Sequence, residues 1–308
     1  MKPGDRRLQQ SYHRCREVCR RAHSHFYPAF ALLPRDQARA MEALYAFLRI
    51  TDDLADAASG SGQVLERLSL WQRMVSAAQA GHDLRSAFPP PEDPLLAEGL
   101  AILPATTDTV QRYAVPWQSL QAVIDGVRID LQPVRFEVFD QTVDYCRKVA
   151  SAVGVACIHI WGFSGGDDAL AKADACGIAF QLTNILRDLA EDAQRDRYYL
   201  PMEDFERFGV APHDLLLGTV HERLARWLEF QMDRAAEFYH RGSDLIGHLS
   251  PRGRRIFGLM TATYWNLLRR LRQCRNDLLR GRIRVPPPRL LMLALRWAIL
   301  PPARRSLP

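Results

Sequence analysis

Apolar residues recur along most of this chain three and four positions apart, and no segment alternates in the manner of a half-buried strand. The pattern predicts a first helix from about Arg6 to His25, broken at Pro28. A second opens at Pro34 and ends in the loop Ala57-Ala58-Ser59-Gly60-Ser61-Gly62. A third covers about Val64 to Ala80. After a surface connection containing Pro89-Pro90-Pro91 the helical pattern resumes at Leu95. Long helices are predicted over Thr109 to Val127 and Gln141 to Gly162, the latter rich in small residues that let helices approach closely. Beyond Ser164-Gly165-Gly166 lies another long helix, then helices at about His221 to Leu245 and Pro251 to Gly281. Pro286-Pro287-Pro288 interrupts the chain before Leu290 to Leu300. The chain reads as one all-α domain over residues 1–288, with a Pro-flanked, apolar and basic C-terminal tail over 289–308.

Two polar rows interrupt this apolar pattern. Gln181, Asn184, Asp188 and Asp192 fall at i, i+3, i+7 and i+11 and line one face of a helix. Tyr45, Arg49, Asp52 and Asp56 form a comparable row, with Asp53 beside it. Carboxylates one turn apart repel. Both rows follow strongly apolar segments, Ala43-Leu44-Tyr45-Ala46-Phe47-Leu48 and Ile178-Ala179-Phe180, so their helices are expected to be largely buried. Buried charge has to be paired or coordinated. The reading is that the rows face one another across a cavity holding a hard, oxygen-loving cation such as Mg²⁺.

Composition narrows the partners. The 308 residues carry a net charge of +6, and the excess is concentrated late in the chain. From Pro251 onward there are 14 Arg, no Lys and one acidic residue, Asp277. Such a segment suits an anionic surface or a phosphorylated ligand. Nucleic acid is disfavoured, because the acidic rows would repel its backbone and no recognition motif accompanies the arginines. The six cysteines have neither zinc-site nor disulfide spacing, as expected of structural thiols in a reducing cytosol. Met1 to Gln10 lacks an apolar signal core, and no run reaches the ~20 apolar residues of a membrane span. A cytoplasmic protein is expected, with peripheral membrane contact through the C-terminal tail left open beside simple packing of that tail.

Carboxylates with Arg49 and Arg187 beside them suit a diphosphate held by Mg²⁺. Aromatic residues such as Phe26, Phe47 and Phe180 would wall an apolar cavity and shield a carbocation. The implied chemistry is ionisation of an allylic prenyl diphosphate followed by carbon–carbon coupling or cyclisation.

Four motifs, in this order, resemble those of the squalene/phytoene synthases, the head-to-head prenyl-coupling enzymes. They are Tyr45-Ala46-Phe47-Leu48-Arg49-Ile50-Thr51-Asp52-Asp53-Leu54-Ala55-Asp56, the Tyr145 to Gly154 stretch, Gln181 to Asp192, and Arg197-Tyr198-Tyr199-Leu200-Pro201. The resemblance implies a single-domain helical bundle of the isoprenoid-synthase type with a central cavity. It implies Asp52, Asp56, Asn184, Asp188 and Asp192 as ligands of about three Mg²⁺ ions, with Asp53 in support. Arg49, Gln181, Arg187, Tyr199 and Arg282 would line the diphosphate end. Phe26, Tyr45, Tyr145, Val149 and Tyr264 would border the prenyl chains or cationic intermediates. Where many relatives carry a Ser-x-Ser-Phe pattern, this chain has His23 and His25, and a protonated His would replace a hydroxyl contact.

Within that family the Val149 to Gly154 run looks closest to enzymes that join two farnesyl diphosphates into presqualene diphosphate, with NADPH reduction to squalene undecided. The first alternative is a phytoene synthase joining two geranylgeranyl diphosphates. An alternative of another class is a non-catalytic assembly subunit. Pathway enzymes are candidate partners, in a hopanoid, sterol or carotenoid route.

Overall fold

The computed structural model describes residues 3–22, 27–56 and 61–299. Among them the fold is all-α, with thirteen α-helices and two strands of two residues each. The chain packs as two compact units. One comprises residues through Leu131 together with Val155–Gly162, the other Gln132–Gly154 and Phe163 onward.

The first unit is organised around one helix. In chain order it holds α1 (Pro3–Arg21), a 3₁₀ turn (Tyr27–Leu32), α2 (Arg35–Asp56), α3 (Ser61–Gln79), the short α4 (Leu84–Ala87), α5 (Pro94–Tyr113) and α6 (Trp117–Ile129). Helix α2 packs against α1, α3, α5 and α6. Its apolar positions Ala40, Leu44, Phe47, Ile50 and Leu54 recur at helical spacing and are all buried. Two polar locks fix α2 within this apolar contact. Buried Glu42 accepts from Arg16 Nε at 3.0 Å and from the Tyr27 hydroxyl at 3.1 Å. Thr51 Oγ1 donates to the Phe47 carbonyl at 2.8 Å and accepts from Trp71 Nε1 at 2.9 Å, tying α2 to α3.

The helix expected over Thr109 to Val127 is in fact two. Ala114 takes a left-handed conformation (φ 50°) at the end of α5, and Pro116 then caps the start of α6. Proline has no N–H to continue a helical ladder and disfavours helical geometry in the residue before it.

The second unit begins with β1 (Val134–Arg135), α7 (Phe139–Cys146) and a π-helical turn (Arg147–Ser151). This turn leads into α8 (Ala152–Trp161), which passes to the first unit at Val155. There follow α9 (Gly166–Gln194), β2 (Arg197–Tyr198), α10 (Met202–Phe208), α11 (Glu222–Gly242), α12 (Pro251–Gln273) and α13 (Pro287–Ile299). The two short strands, absent from the sequence reading, pair in parallel with Val134 opposite Arg197. They are too short to show any alternation of side chains. The single helix expected from Gln141 to Gly162 is interrupted by the π turn.

Helix α9 packs along α11 and against the π turn and α12. Where α9 meets the π turn, Gly177 lies so close to the Ser151 backbone that a Cβ there would overlap it. Ser151 Oγ donates to the Asp174 carbonyl at 2.9 Å in the same contact. The small residues of this stretch thus serve close helix approach, as their composition suggested.

Cys15, Cys19, Cys146, Cys157 and Cys176 are buried free thiols, and Cys274 is half-buried. Burial pushes the Cys19 and Cys157 thiols up to about 12 and raises Cys15, Cys146 and Cys176 as well. Among the described residues no helix is long and apolar enough to cross a membrane.

Gly177→Ala is expected to destabilise the protein by about 1–3 kcal/mol, the usual cost of overpacking. Gly247→Ala, where a Cβ meets nothing within 4 Å, is the control and should stay within about 0.5 kcal/mol of wild type. Thermal or urea unfolding of the two variants measures both.

Candidate functional site

Each polar row is described within its own unit. In the first, α2 carries Tyr45, Arg49, Asp52, Asp53 and Asp56 on the side opposite its buried apolar stripe. Tyr45 is half-buried, edge-on to Phe30 at 6.4 Å. Arg49 grips Asp53 one turn on, with Nε at 3.0 Å from Oδ2 and Nη2 at 2.5 Å from Oδ1. Asp52 and Asp56 are exposed, unlike the burial expected for this row, because they sit in the last two turns of α2 on the side away from its apolar stripe. The protein around Asp52 nonetheless thins its hydration. That desolvation first, and Asp56 second, raise the Asp52 pKa to about 7 against the pull of Arg49. Phe47, expected to wall a ligand cavity, is wholly buried with its ring 5.3 Å from Trp71. It faces the opposite side of α2 from the carboxylates and belongs to the core. Phe26, with His23 and His25, lies outside the described residues.

In the second unit the structure gathers most of the other residues singled out from the sequence. Gln181, Asn184, Arg187, Asp188 and Asp192 are all half-buried along one face of α9. Asn184 Nδ2 donates to Gln181 Oε1 at 3.3 Å. The Asp188 carboxylate is held between two guanidinium groups. Arg187 reaches it at 2.8 and 2.5 Å, and Arg282, from the segment after α12, at 3.0 and 3.1 Å. Two forked contacts on one carboxylate are strong charge-assisted bonds. The Tyr264 ring of α12 stacks on Phe180 of α9 at 4.6 Å and 12°. Burial raises its phenol pKa, opposed by a hydrogen bond with Asn184 and by the nearby Arg187.

Tyr145 and Tyr199 form a second aromatic group. Their rings stack at 4.7 Å, and Phe136 lies 5.8 and 6.3 Å from them. Thr142 Oγ1 donates to the Tyr199 carbonyl at 2.7 Å and fixes the strand end that carries it. Val149 sits in the π turn, half-buried. Such turns add a residue to a helix and are frequent at functional sites.

Sequence reasoning missed the anchors behind these faces. Thr183 Oγ1 donates to the Ala179 carbonyl at 2.8 Å and bonds the Tyr239 hydroxyl at 2.9 Å. Thr51 and Trp71 do the same for α2. A threonine beside a polar row was the available signal; its partner on another helix had none. Phe136 was also missed, since it lies in a connection without periodicity.

The donor set fits Mg²⁺. It is made of carboxylate and amide oxygens, and the buried Asn184 Oδ1 has no hydrogen-bond partner among the described residues. Among those residues no three His, Cys, Asp or Glu side chains converge into a self-sufficient metal site. Mg²⁺ bound through one or two carboxylates, and completed by phosphate oxygens and water, requires no such cluster. An open groove of about 1010 Å³ in the first unit, lined in part by Arg7, Ser11, His82 and Asp108, contains none of these residues.

Comparison with known proteins bears on the family. Residues 19–289 match the sequence model of the family described as Squalene/phytoene synthase. The chain is 31% identical to the 15-cis-phytoene synthase of Synechococcus elongatus, over 91% of this chain and 89% of that one. It is 32% identical to the phytoene synthase of Arthrospira platensis, over 90% and 88%. The crystal structure of a dehydrosqualene synthase superposes with a TM-score of 0.79 over 96% of this chain and 97% of that one; at 24% identity it establishes the shared isoprenoid-synthase helical fold.

The raised Asp52 pKa gives a signed pH dependence. Its folded-state value lies above the ordinary 3.8, so the folded protein binds this proton more tightly and loses stability as pH climbs from about 4 through about 7. In EDTA, the urea midpoint of wild type should fall between pH 5 and pH 8 relative to that of Asp52→Asn. Parallel curves would remove the basis for the shift.

Proposed function

This chain belongs to the squalene/phytoene synthase family of head-to-head prenyltransferases, and we propose that it joins two geranylgeranyl diphosphates into phytoene. The observation that carries the choice is the identity of 31% and 32% to two phytoene synthases along nine-tenths of both partners. The expectation of two farnesyl diphosphates and a presqualene product, drawn from the Val149 to Gly154 run, is the less supported reading. A non-catalytic subunit is disfavoured, since the Asp, Asn and Arg positions of both rows are intact.

In this reading Asp52 and Asp56 of α2 in the first unit, and Asn184, Asp188 and Asp192 of α9 in the second, would each serve as Mg²⁺ ligands toward substrate diphosphate, with Asp53 positioning Arg49. Bound Mg²⁺ supplies neutralisation of the charge that develops on the departing diphosphate. Arg49 grips Asp53, and Arg187 and Arg282 grip Asp188; each planar fork would also suit the oxygens of a bound diphosphate. Gln181 and Tyr199 border the same end. Phe26, Tyr45, Tyr145, Val149 and Tyr264 border the hydrocarbon and the cations formed from it. The stacked pairs Tyr145–Tyr199 and Phe180–Tyr264 would offer aromatic faces to such cations.

The family reaction balances without an added oxidant or reductant when it ends in phytoene. The C1–O bond of one allylic diphosphate breaks, the double bond of the second substrate attacks that C1, and a proton leaves. The product is a cyclopropylcarbinyl diphosphate. Its own C–O bond then breaks, the ring rearranges, and loss of a second proton gives the C40 hydrocarbon. Tyr264, whose raised pKa keeps its phenol neutral, would contribute a polar but uncharged surface near the diphosphate end.

Purified protein incubated with Mg²⁺ and geranylgeranyl diphosphate should yield a C40 hydrocarbon by mass spectrometry, without NADPH. A C30 product from farnesyl diphosphate, with no C40 product, would return the assignment to the presqualene reading. Asp188→Asn should lower turnover by more than the ~10–100-fold that loss of an outer-shell metal partner costs, with an unchanged helical circular dichroism spectrum. Undiminished turnover would remove Asp188 from the metal site.

A further inference from the structure

The outward face of α13 is apolar in a way that the proposed chemistry does not use. This helix packs on α12 through Leu293 and Trp297, which are 7% and 2% exposed. The Trp297 ring lies against Gly258, where no side chain could be added without displacing it. Arg289 fastens the start of the helix, donating from Nε and Nη2 to Asn266 Oδ1 at 3.2 and 3.0 Å. Among the described residues the helix is therefore docked on one side. On the other, Leu291, Met292 and Leu295 are 62%, 51% and 52% exposed. At 100° per residue these three span about 100° of arc, beside the exposed Arg289 and Arg296 and on the far side from Leu293 and Trp297.

Charge specifies what could cover this face. After Ser250 the sequence holds 14 arginines and the single acid Asp277, which is paired with Arg280. Several of these arginines are engaged within the protein. Arg272 and Arg275 pair with Glu229, Arg272 also with Asp233, and Arg282 with Asp188. Arg284, Arg289 and Arg296 are exposed, and among the described residues no carboxylate pairs with them. An apolar strip edged by cations matches a surface that is greasy beneath and negative above.

We propose that α13 is a peripheral membrane-docking element. Leu291, Met292 and Leu295 enter the headgroup–acyl boundary of an anionic bilayer, and Arg284, Arg289 and Arg296 lie among its phosphates. The helix lies in the interface without crossing it, in keeping with its 13 residues. Shallow insertion of three side chains gives modest affinity, and each arginine near an anionic surface adds roughly fivefold. Binding should therefore need both features and fall with salt.

Co-sedimentation of the full-length protein with sonicated vesicles tests this, comparing pure phosphatidylcholine with phosphatidylcholine containing phosphatidylglycerol. Wild type should pellet with the anionic vesicles at least tenfold more strongly than with the neutral ones, and 0.5 M NaCl should release it. Leu291→Ser/Met292→Ser/Leu295→Ser should lose at least tenfold in partitioning, as should Arg284→Gln/Arg296→Gln. Both should keep the wild-type circular dichroism spectrum and thermal midpoint, because neither touches the Trp297–Gly258 contact. Wild type that stays in the supernatant, or variants that pellet like wild type, would overturn the proposal. So would a concentration-dependent dimer in sedimentation equilibrium that the triple variant abolishes, since a second copy would then cover the face. None of these readouts depends on which prenyl diphosphate is the substrate.

Discussion

Carboxylates set in rows along helix faces repel one another, and the surrounding structure answers that repulsion. Two such charges about 6 Å apart, at an effective dielectric constant near 20, oppose each other by about 3 kcal/mol. The same pair on a bare solvated helix costs only about 0.2–0.5 kcal/mol. The difference explains why arginines crowd these rows. Asp188 receives two guanidinium groups, one from the adjacent residue and one from far along the chain. Asp53 takes Arg49, and Asp52 is left with thinned hydration first and the repulsion of Asp56 second, both of which favour its protonated form. Arginines thus hold in check charges that would otherwise push their own helices apart.

Holding them requires helices that do not shift, and both rows use the same device. Immediately beside each row stands a threonine, Thr51 on α2 and Thr183 on α9. Each donates back to the carbonyl four residues earlier and bonds an aromatic polar atom on a neighbouring helix, Trp71 Nε1 or the Tyr239 hydroxyl. A buried hydroxyl satisfied on both sides is costly to displace. Helix rotation that would re-aim a row must break such a bond. The placement of the carboxylates thus rests on polar contacts in the core as well as on apolar packing.

Much of this was legible in the sequence, because helical periodicity and charged rows are local signals. The positions of Asp52, Asp56, Asn184 and Asp188 on their helix faces follow from spacing alone. What was not legible depends on partners distant in sequence or on backbone detail. The residues around Arg282 do not announce that its guanidinium meets Asp188, 94 positions earlier; only the family resemblance set it beside Arg187. The π turn at Arg147–Ser151 leaves the small-residue pattern intact and changes only the hydrogen-bond register, so the stretch reads as unbroken helix. Phe47 was misjudged because an aromatic residue inside a motif looks the same whether it faces a ligand or Trp71. The break at Ala114 was within reach, since Pro116 marks it, but the strong periodicity on both sides masked it.

The buried thiols carry a consequence of their own. Five cysteines lie in the interior, with their ionisation suppressed, and thiolate is the reactive form. A thiol reagent in solvent therefore meets them only when the surrounding structure opens. Cys15, Cys19 and Cys157 belong to the first compact unit, and Cys146 and Cys176 to the second. Each unit therefore carries native reporters of its own. The rate at which each set is modified counts how often its own part of the fold comes apart, without any label having to be introduced.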